Sequence, residues 1–248
     1  MRSRRAVRPF HFPRLLSSLA DALATRVPSQ CAICRAWPSR PLCDPCIARF
    51  AAPVARCPAC AIPVPPGVER CSDCVRPPPP LDACIAACAY AWPWPVHIGH
   101  FKFRGETGWA AVFAQLMRSA PWTEPALERC DVVLPMPLAK ARLRERGFNQ
   151  SLELARRLSP EKTDATLLLR LRDTPAQHGL ARAQRLLNLQ GAFAVEPLRA
   201  ASLRGRRVVL VDDVMTSGAS LFAAAQVLRA AGAAHLTGLV LARTEAPA

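Results

Sequence analysis

At 248 residues, half of them hydrophobic, the chain can fill one large domain or two smaller ones and bury a substantial core. No stretch reaches the ~18 apolar residues of a spanning helix, so stable membrane insertion is excluded at this level; the most apolar candidate, Ala83 to Val96, carries Pro93 and Pro95. The net charge of +15, spread over both halves, favours anionic partners from phosphorylated substrates to nucleic acid, although a solvated basic face explains it equally.

The chain opens with Arg2, Arg4 and Arg5 ahead of Leu15 to Ala24, an arrangement that mimics a secretory leader. Ser17, Ser18 and Asp21 break the apolar stretch, and Leu15, Leu16, Leu19 and Leu23 follow a helical period. Residues 1–30 therefore read as a basic tail with a short amphipathic helix that packs on the rest of the protein.

Residues 31–76 carry eight of the eleven cysteines, in four C-x-x-C pairs: Cys31/Cys34, Cys43/Cys46, Cys57/Cys60 and Cys71/Cys74. A two-residue gap turns both sulfurs toward one ion, and four thiolates fill a tetrahedral Zn²⁺ shell. Four such knuckles supply two structural zinc sites. Sequential pairing is the simplest arrangement; interleaved pairing stays open. A disulfide framework is the rival, but it suits a secreted chain, whereas the phosphate-binding signature further along suits the reducing cytoplasm. Six arginines in this module would help it hold nucleic acid, yet only Trp37 and Phe50 offer aromatic faces.

Pro77 to Pro80 form a stiff extended spacer, where the domain boundary is placed, leaving 81–246 as the second domain. Ala83 to Trp92 reads as a strand with Cys84 and Cys88 as core thiols. In Phe101-Lys102-Phe103-Arg104-Gly105 apolar and basic residues alternate; this is either a half-exposed edge or a basic contact to phosphate through Lys102 and Arg104. Thr107 to Ser119 reads as a helix with Thr107 at its N-cap. Asp131 to Leu134 is a strand stopped by Pro135-Met136-Pro137. A charged loop follows, with Lys140, Arg142, Arg144 and Arg146 close together, and Asn149 or Ser151 starts a helix to Leu158. This is either a charged loop entering a helix or, since ligands sit beyond the carboxyl ends of neighbouring strands in an open parallel sheet, a loop that meets a pyrophosphate. Ala165 to Leu169 is a short strand. The long polar connection up to Ala192–Val195 reads either as a cover that folds over a sugar phosphate and excludes water or as a solvated helix with an exposed basic face.

The most informative stretch is Arg207 to Ser220. Val208 to Val211 form a strand buried on both faces. Asp212 and Asp213 stand where it would emerge. Thr216-Ser217-Gly218-Ala219-Ser220 makes a small hydroxyl-rich turn, and Leu221 to Ala231 has helical character. Backbone N–H groups of such a turn and the helix start hold a phosphate, while paired carboxylates accept hydrogen bonds from vicinal ribose hydroxyls. A plainer account, a strand end and a helix cap, fits each residue singly but leaves two adjacent acids after a buried strand without a purpose. There is no GxxxxGK[ST] loop and no GxGxxG after a strand, which argues against triphosphate and dinucleotide sites. His235 to Ala242 supplies the last strand.

The string VVLVDDVMTSGAS resembles the phosphoribosyl pyrophosphate (PRPP) signature of type I phosphoribosyltransferases. FKFRG, RGFNQ, the Q-x-x-L-x-x-x-x-R-x-x-N-x-x-x-A-F stretch from Gln177 to Phe193, and the Asp-Asp motif match the ComF family in order. The N-terminal knuckles look like its double zinc ribbon. Ser217 and Ser220 stand where that family often has Thr, which keeps the hydroxyls. The resemblance implies a Rossmann-like α/β fold, a parallel sheet flanked by helices, behind a zinc-ribbon module. It implies a link to DNA uptake in competent bacteria or to nucleotide metabolism. It also implies that Asp212 and Asp213 are the catalytic carboxylates that hold the ribose hydroxyls, that Met215, Thr216, Ser217, Gly218, Ala219 and Ser220 join them in binding PRPP, with Thr216 to Ser220 on the 5′-phosphate, and that Met136, Pro137 and Arg146 face the pyrophosphate. Two hypotheses follow. One is an enzyme transferring phosphoribosyl from Mg²⁺-bound PRPP to a nitrogenous acceptor. The other is a PRPP-sensing adaptor that holds single-stranded DNA or a helicase-like partner.

Overall fold

The computed structural model describes residues 29–75, 78–172 and 191–245. The basic N-terminal segment and most of the polar connection, including Gln177 to Asn188, lie outside the described residues. The chain separates into two compact units that part between Cys46 and Ile47.

In the smaller unit the chain turns tightly around Cys31. Arg35 N–H donates to the Cys31 carbonyl at 2.9 Å and Cys31 N–H to the Ala36 carbonyl at 3.0 Å. Arg35 takes a left-handed φ of 65°, and Ser29 bridges Ser39 antiparallel. Cys43 and Cys46 flank the start of helix α1 (Asp44–Phe50).

The larger unit begins by repeating the first turn. Ala61 N–H donates to Cys57 O at 2.8 Å, Cys57 N–H to Ile62 O at 2.8 Å, Ala61 has φ 57°, and Arg56 bridges Pro63. Cys74 sits on the one-turn helix α2 (Ser72–Val75). This second knuckle group shares one apolar cluster with the main sheet: Cys57, Cys60 and Cys74 are buried in the same core as Leu81, Cys84, Val208 and Leu210. The compact units thus part well before the proline run expected to divide them. The physical reason is direct bonding, since Cys84 N–H donates to the Pro58 carbonyl at 2.6 Å.

The elements that follow are β1 (Ala83–Ala89), α3 (Trp94–Phe103), α4 (Trp109–Ser119), α5 (Thr123–Arg129), β2 (Val132–Pro135), α6 (Lys140–Arg146), α7 (Gln150–Leu158), β3 (Leu168–Arg170), β4 (Phe193–Val195), a 3-10 turn (Pro197–Leu203), β5 (Arg207–Met215), α8 (Ala219–Ala230) and β6 (His235–Arg243). The main sheet has order β1-β6-β5-β2 and every pairing is parallel. Strand side chains alternate between faces. Val208 and Leu210, with Leu236 and Val240, pack against α8, the β3–β4 hairpin and the second knuckle group. α4 and α7 contact each other and the sheet: α4 through β1 and β6, α7 through β2 and β5. Burial on both faces explains why β5 and β6 read as nearly continuous apolar runs.

Three expectations are corrected. FKFRG is the end of α3 rather than an alternating edge: Phe101 is fully buried while Phe103 is exposed. The charged stretch from Lys140 is a helix, not a loop, and closes on Gly147 with φ 78°. The first residue of α4 is Trp109, and no side chain caps its start, so Thr107 is not the cap.

Candidate active site

β5 runs on past Val211, so Asp212 and Asp213 lie within its last turn of ladder rather than beyond it. Asp213 is 7% exposed. Lys102, brought in by α3, places Nζ 2.7 Å from Asp213 Oδ1. Asp212 Oδ1 accepts from the Ser151 hydroxyl at 2.8 Å and from the Asp213 N–H at 2.9 Å. Burial, and next the neighbouring Asp213 carboxylate, push the Asp212 carboxyl up to about 7; the Ser151 hydroxyl and the Lys102 charge act against that rise.

The turn after β5 is held open by Gly218. Its φ is +79°, and a Cβ there would lie 2.5 Å from Met215 Cε and 2.8 Å from the Phe222 ring. Only glycine meets both conditions. α8 starts directly after it, two residues earlier than its composition implied, and Phe222 N–H donates to the Gly218 carbonyl at 2.8 Å. Ser217 Oγ accepts from Ala219 N–H at 3.4 Å, while Thr216 is exposed.

β2 lies beside β5, with Pro135 in register with Val211. Met136 N–H continues the ladder to Val211 O at 2.9 Å. Met136 and Pro137 therefore leave the sheet next to Asp212, as the open-sheet argument requires. Asn149 locks the return of this connection. Its side chain donates to the Met136 carbonyl at 3.0 Å and accepts from the Ser151 and Leu152 amides, capping α7. Arg146 donates to Gln150 Oε1 at 3.0 Å, and its guanidinium lies over the Phe103 ring at 4.9 Å. Burial lowers the Arg146 pKa, and the Asp213 charge opposes that. Phe101 packs on Phe148 with ring centroids 5.6 Å apart. FKFRG, RGFNQ and the Asp-Asp strand end thus meet at one place, at the carboxyl end of the sheet. Arg104 follows α3 as an exposed C-cap residue.

Sequence reasoning missed two members of this neighbourhood. Ser151 appeared only as a helix start, yet it holds Asp212. Arg243 appeared not at all. It is 6% exposed and donates to the Met215 carbonyl at 3.2 Å and to the Thr216 carbonyl. The available signal was an arginine directly after the apolar run Leu239–Ala242, at the end of a strand buried at every position after His235.

The cysteines fall into two groups, Cys31/Cys34/Cys43/Cys46 and Cys57/Cys60/Cys71/Cys74, and within each the four sulfurs lie within 4.8 Å of one another. The pairing is sequential. A tetrahedral ion with Zn–S bonds of about 2.3 Å places its sulfurs about 3.8 Å apart, and Cys34–Cys43 and Cys60–Cys71 are each separated by 3.6 Å. Burial, then the adjacent Cys60 thiol, pushes the Cys74 thiol upward. A coordinated cation reverses that by fixing the thiolate. The donor sets fit zinc.

A cavity of about 900 Å³ opens elsewhere, against Ala83–Ala87 and the first residues of β5. Its lining includes Arg129, Arg207 and His235 but neither Asp212, Asp213 nor the Gly218 turn, so it is separate from the site.

Comparison with known proteins gives the chain's family. The phosphoribosyl transferase domain family matches residues 106–247. The DNA utilization protein YhgH of Escherichia coli K12 is 31% identical over 227 residues, covering 88% of this chain and 98% of the relative. The chain belongs to the ComF family of phosphoribosyltransferase-like proteins. Competence protein F of Haemophilus influenzae is 30% identical over 171 residues, 65% of this chain and 73% of that protein. Competence protein ComFC of Bacillus subtilis is 31% identical over 148 residues, 59% of this chain and 58% of that protein. The match over most of the chain takes in the knuckle region as well as the sheet. Among the described residues no helix is long and apolar enough to cross a membrane.

Proposed function

We propose that this ComF-family chain is a cytoplasmic enzyme that binds PRPP and transfers its phosphoribosyl group to a nitrogenous acceptor, releasing pyrophosphate. The observation that carries this reading is the adjacency of Asp212 and Asp213 to a glycine-opened turn and to the Met136–Pro137 connection on the neighbouring strand. Asp212 and Asp213 accept the two ribose hydroxyls. The amides of Thr216 to Ser220 and the start of α8 hold the 5′-phosphate. Arg146 faces the pyrophosphate. Lys102 neutralises Asp213 before substrate arrives; the ribose hydroxyls take over that carboxylate, and the ammonium is then free for a phosphate oxygen.

In the reaction the C1–oxygen bond to pyrophosphate breaks, the C1–nitrogen bond forms, and the acceptor nitrogen passes its proton to the departing pyrophosphate. Positive charge grows on the sugar as the bond breaks, and the carboxylates below it stabilise that charge. Mg²⁺ arriving with PRPP supplies neutralisation of the leaving pyrophosphate. Two zinc ions, held by the cysteine groups, are structural. The test is to incubate the protein with PRPP, Mg²⁺ and a panel of free bases and to measure pyrophosphate. Base-dependent release supports the reading; PRPP binding with no release for any base contradicts the transfer step.

The names of the relatives, which speak of DNA utilization and competence, favour a second reading. In it the pocket senses PRPP while the knuckle module and basic surface hold single-stranded DNA or a translocation partner. Retention on single-stranded DNA that weakens steeply with salt supports this reading. A zinc-loaded sample not retained even at low salt contradicts its DNA-binding part.

A further inference from the structure

Arg243 ties together two parts of the larger unit that are far apart in sequence. Its Nε donates to the carbonyl of Cys60 at 2.8 Å. Its Nη1 donates to the carbonyls of Met215 at 3.2 Å, of Thr216, and of Thr244 at 2.7 Å. Cys60 is a member of the second four-thiol group. Met215 and Thr216 begin the phosphate turn. A second strut runs beside the first: Cys84 Sγ lies 3.6 Å from Met215 Sδ, and the Cys84 N–H is bonded to Pro58, between Cys57 and Cys60. The turn therefore hangs on the second knuckle by one buried charged fork and one apolar contact.

The geometry points to Arg243 as a positioning residue that couples the metal state of the Cys57/Cys60/Cys71/Cys74 group to phosphate binding at residues 216–220. This inference rests on the reading of that turn given above. A knuckle this small owes its shape to the ion it holds. Loss of the ion releases the Cys60 carbonyl and Arg243 loses one of its anchors; the Met215 carbonyl keeps the Thr244 N–H at 3.1 Å, so the loosened guanidinium is felt most at the Thr216 carbonyl. Without the fixed charged donor the Thr216 carbonyl turns toward another partner, and the turn relaxes to a shape that no longer matches a phosphate. By linkage, phosphate bound at the turn must in return tighten the hold on that ion.

The test uses the full, zinc-loaded chain and Arg243→Met. The variant should keep both ions yet bind PRPP about tenfold or more weakly, the loss expected when a charged hydrogen-bond donor to the turn's carbonyls is removed. Amides of Ser217 to Ala219 should exchange faster while those of Leu239 to Leu241 keep their protection, a split that a general loss of stability would not produce. In the wild type, PRPP should slow chelator extraction of one of the two ions; in the variant it should not. Unchanged PRPP affinity and amide protection in Arg243→Met, or ion extraction indifferent to PRPP in a wild type that binds it, overturns the coupling. Should Arg243→Met not fold, Arg243→Lys keeps the charge but loses the fork: the same drop supports the coupling, and wild-type affinity overturns it. If the wild type binds no PRPP, the reading of the turn fails, and the coupling is judged by exchange alone. Faster exchange at Ser217 to Ala219 on metal extraction then supports it, and unchanged exchange overturns it.

Discussion

The two four-cysteine groups are built alike and loaded differently. Each begins with the same tight turn, in which the residue after the second cysteine, Arg35 or Ala61, adopts a positive φ and returns its N–H to the first cysteine's carbonyl. In the smaller unit Cys34 is exposed and Cys43 half-buried. In the larger unit three of the four thiols are buried in the core that supports the sheet, and the Cys60 and Pro58 carbonyls are bonded to Arg243 and Cys84. The same ligand chemistry serves a self-contained module in one place and a keystone of the proposed phosphoribosyl site in the other.

The largest expected effect breaks that keystone directly. Cys57→Ser should destabilise the larger unit by more than about 4 kcal/mol, since a structural ion is lost from its core. Cys34→Ser should leave the same unit within about 0.5 kcal/mol of wild type. Denaturation followed by hydrogen exchange in β5 and β6 distinguishes them, and equal losses would erase the contrast between the groups.

Gly218→Val approaches the keystone from the other side. The added side chain meets Met215 and Phe222 at 2.5 and 2.8 Å and imposes a left-handed φ on a β-branched residue. A cost on the order of 2–4 kcal/mol is expected from overpacking and backbone strain together, with PRPP affinity reduced at least about tenfold. Thermal melting and calorimetry check the two parts. A full-affinity Gly218→Val would show that the turn does not hold the phosphate.

The smallest effect isolates the acids from both metal groups. The Asp212 carboxyl stands at about 7, above the ordinary carboxylate value. Because the folded value is raised, its protonated form favours the fold at acid pH, and that contribution is lost as pH rises from about 4 through 7. Ribose hydroxyls need the ionised form as acceptor, so PRPP affinity should climb as pH passes 7. Ser151→Ala removes a hydrogen bond that favours the ionised form and should move this climb upward by about one pH unit. Titrations between pH 6 and 9 read the midpoint; a shift downward, or none, contradicts the role given to Ser151.

Much of this was legible in local sequence because the determinants are local. Val208 to Val211 announce a buried strand, Thr216 to Ser220 a small hydroxyl-rich turn, the C-x-x-C spacing a metal knuckle, and Asn149 or Ser151 a helix start. FKFRG misled because four residues of alternation fit two periods; the buried Phe101 and the exposed Phe103 lie on opposite sides of a helix. The contacts that complete the site were illegible for another reason. Lys102 finds Asp213, Ser151 finds Asp212, and Arg243 finds both Cys60 and Thr216 across long stretches of chain. No local pattern encodes which buried charge will meet which carbonyl. The choice of partner in the cysteine groups was likewise open until the fold brought each set of four together.

The most direct measurement of the central claim is a calorimetric titration of Mg²⁺–PRPP into the wild type and into Asp213→Ala, with zinc content and melting recorded for both. The account predicts tight binding by the wild type and a loss of about a hundredfold or more in the variant, which keeps its fold and both ions. Equal affinity in the two proteins would contradict it.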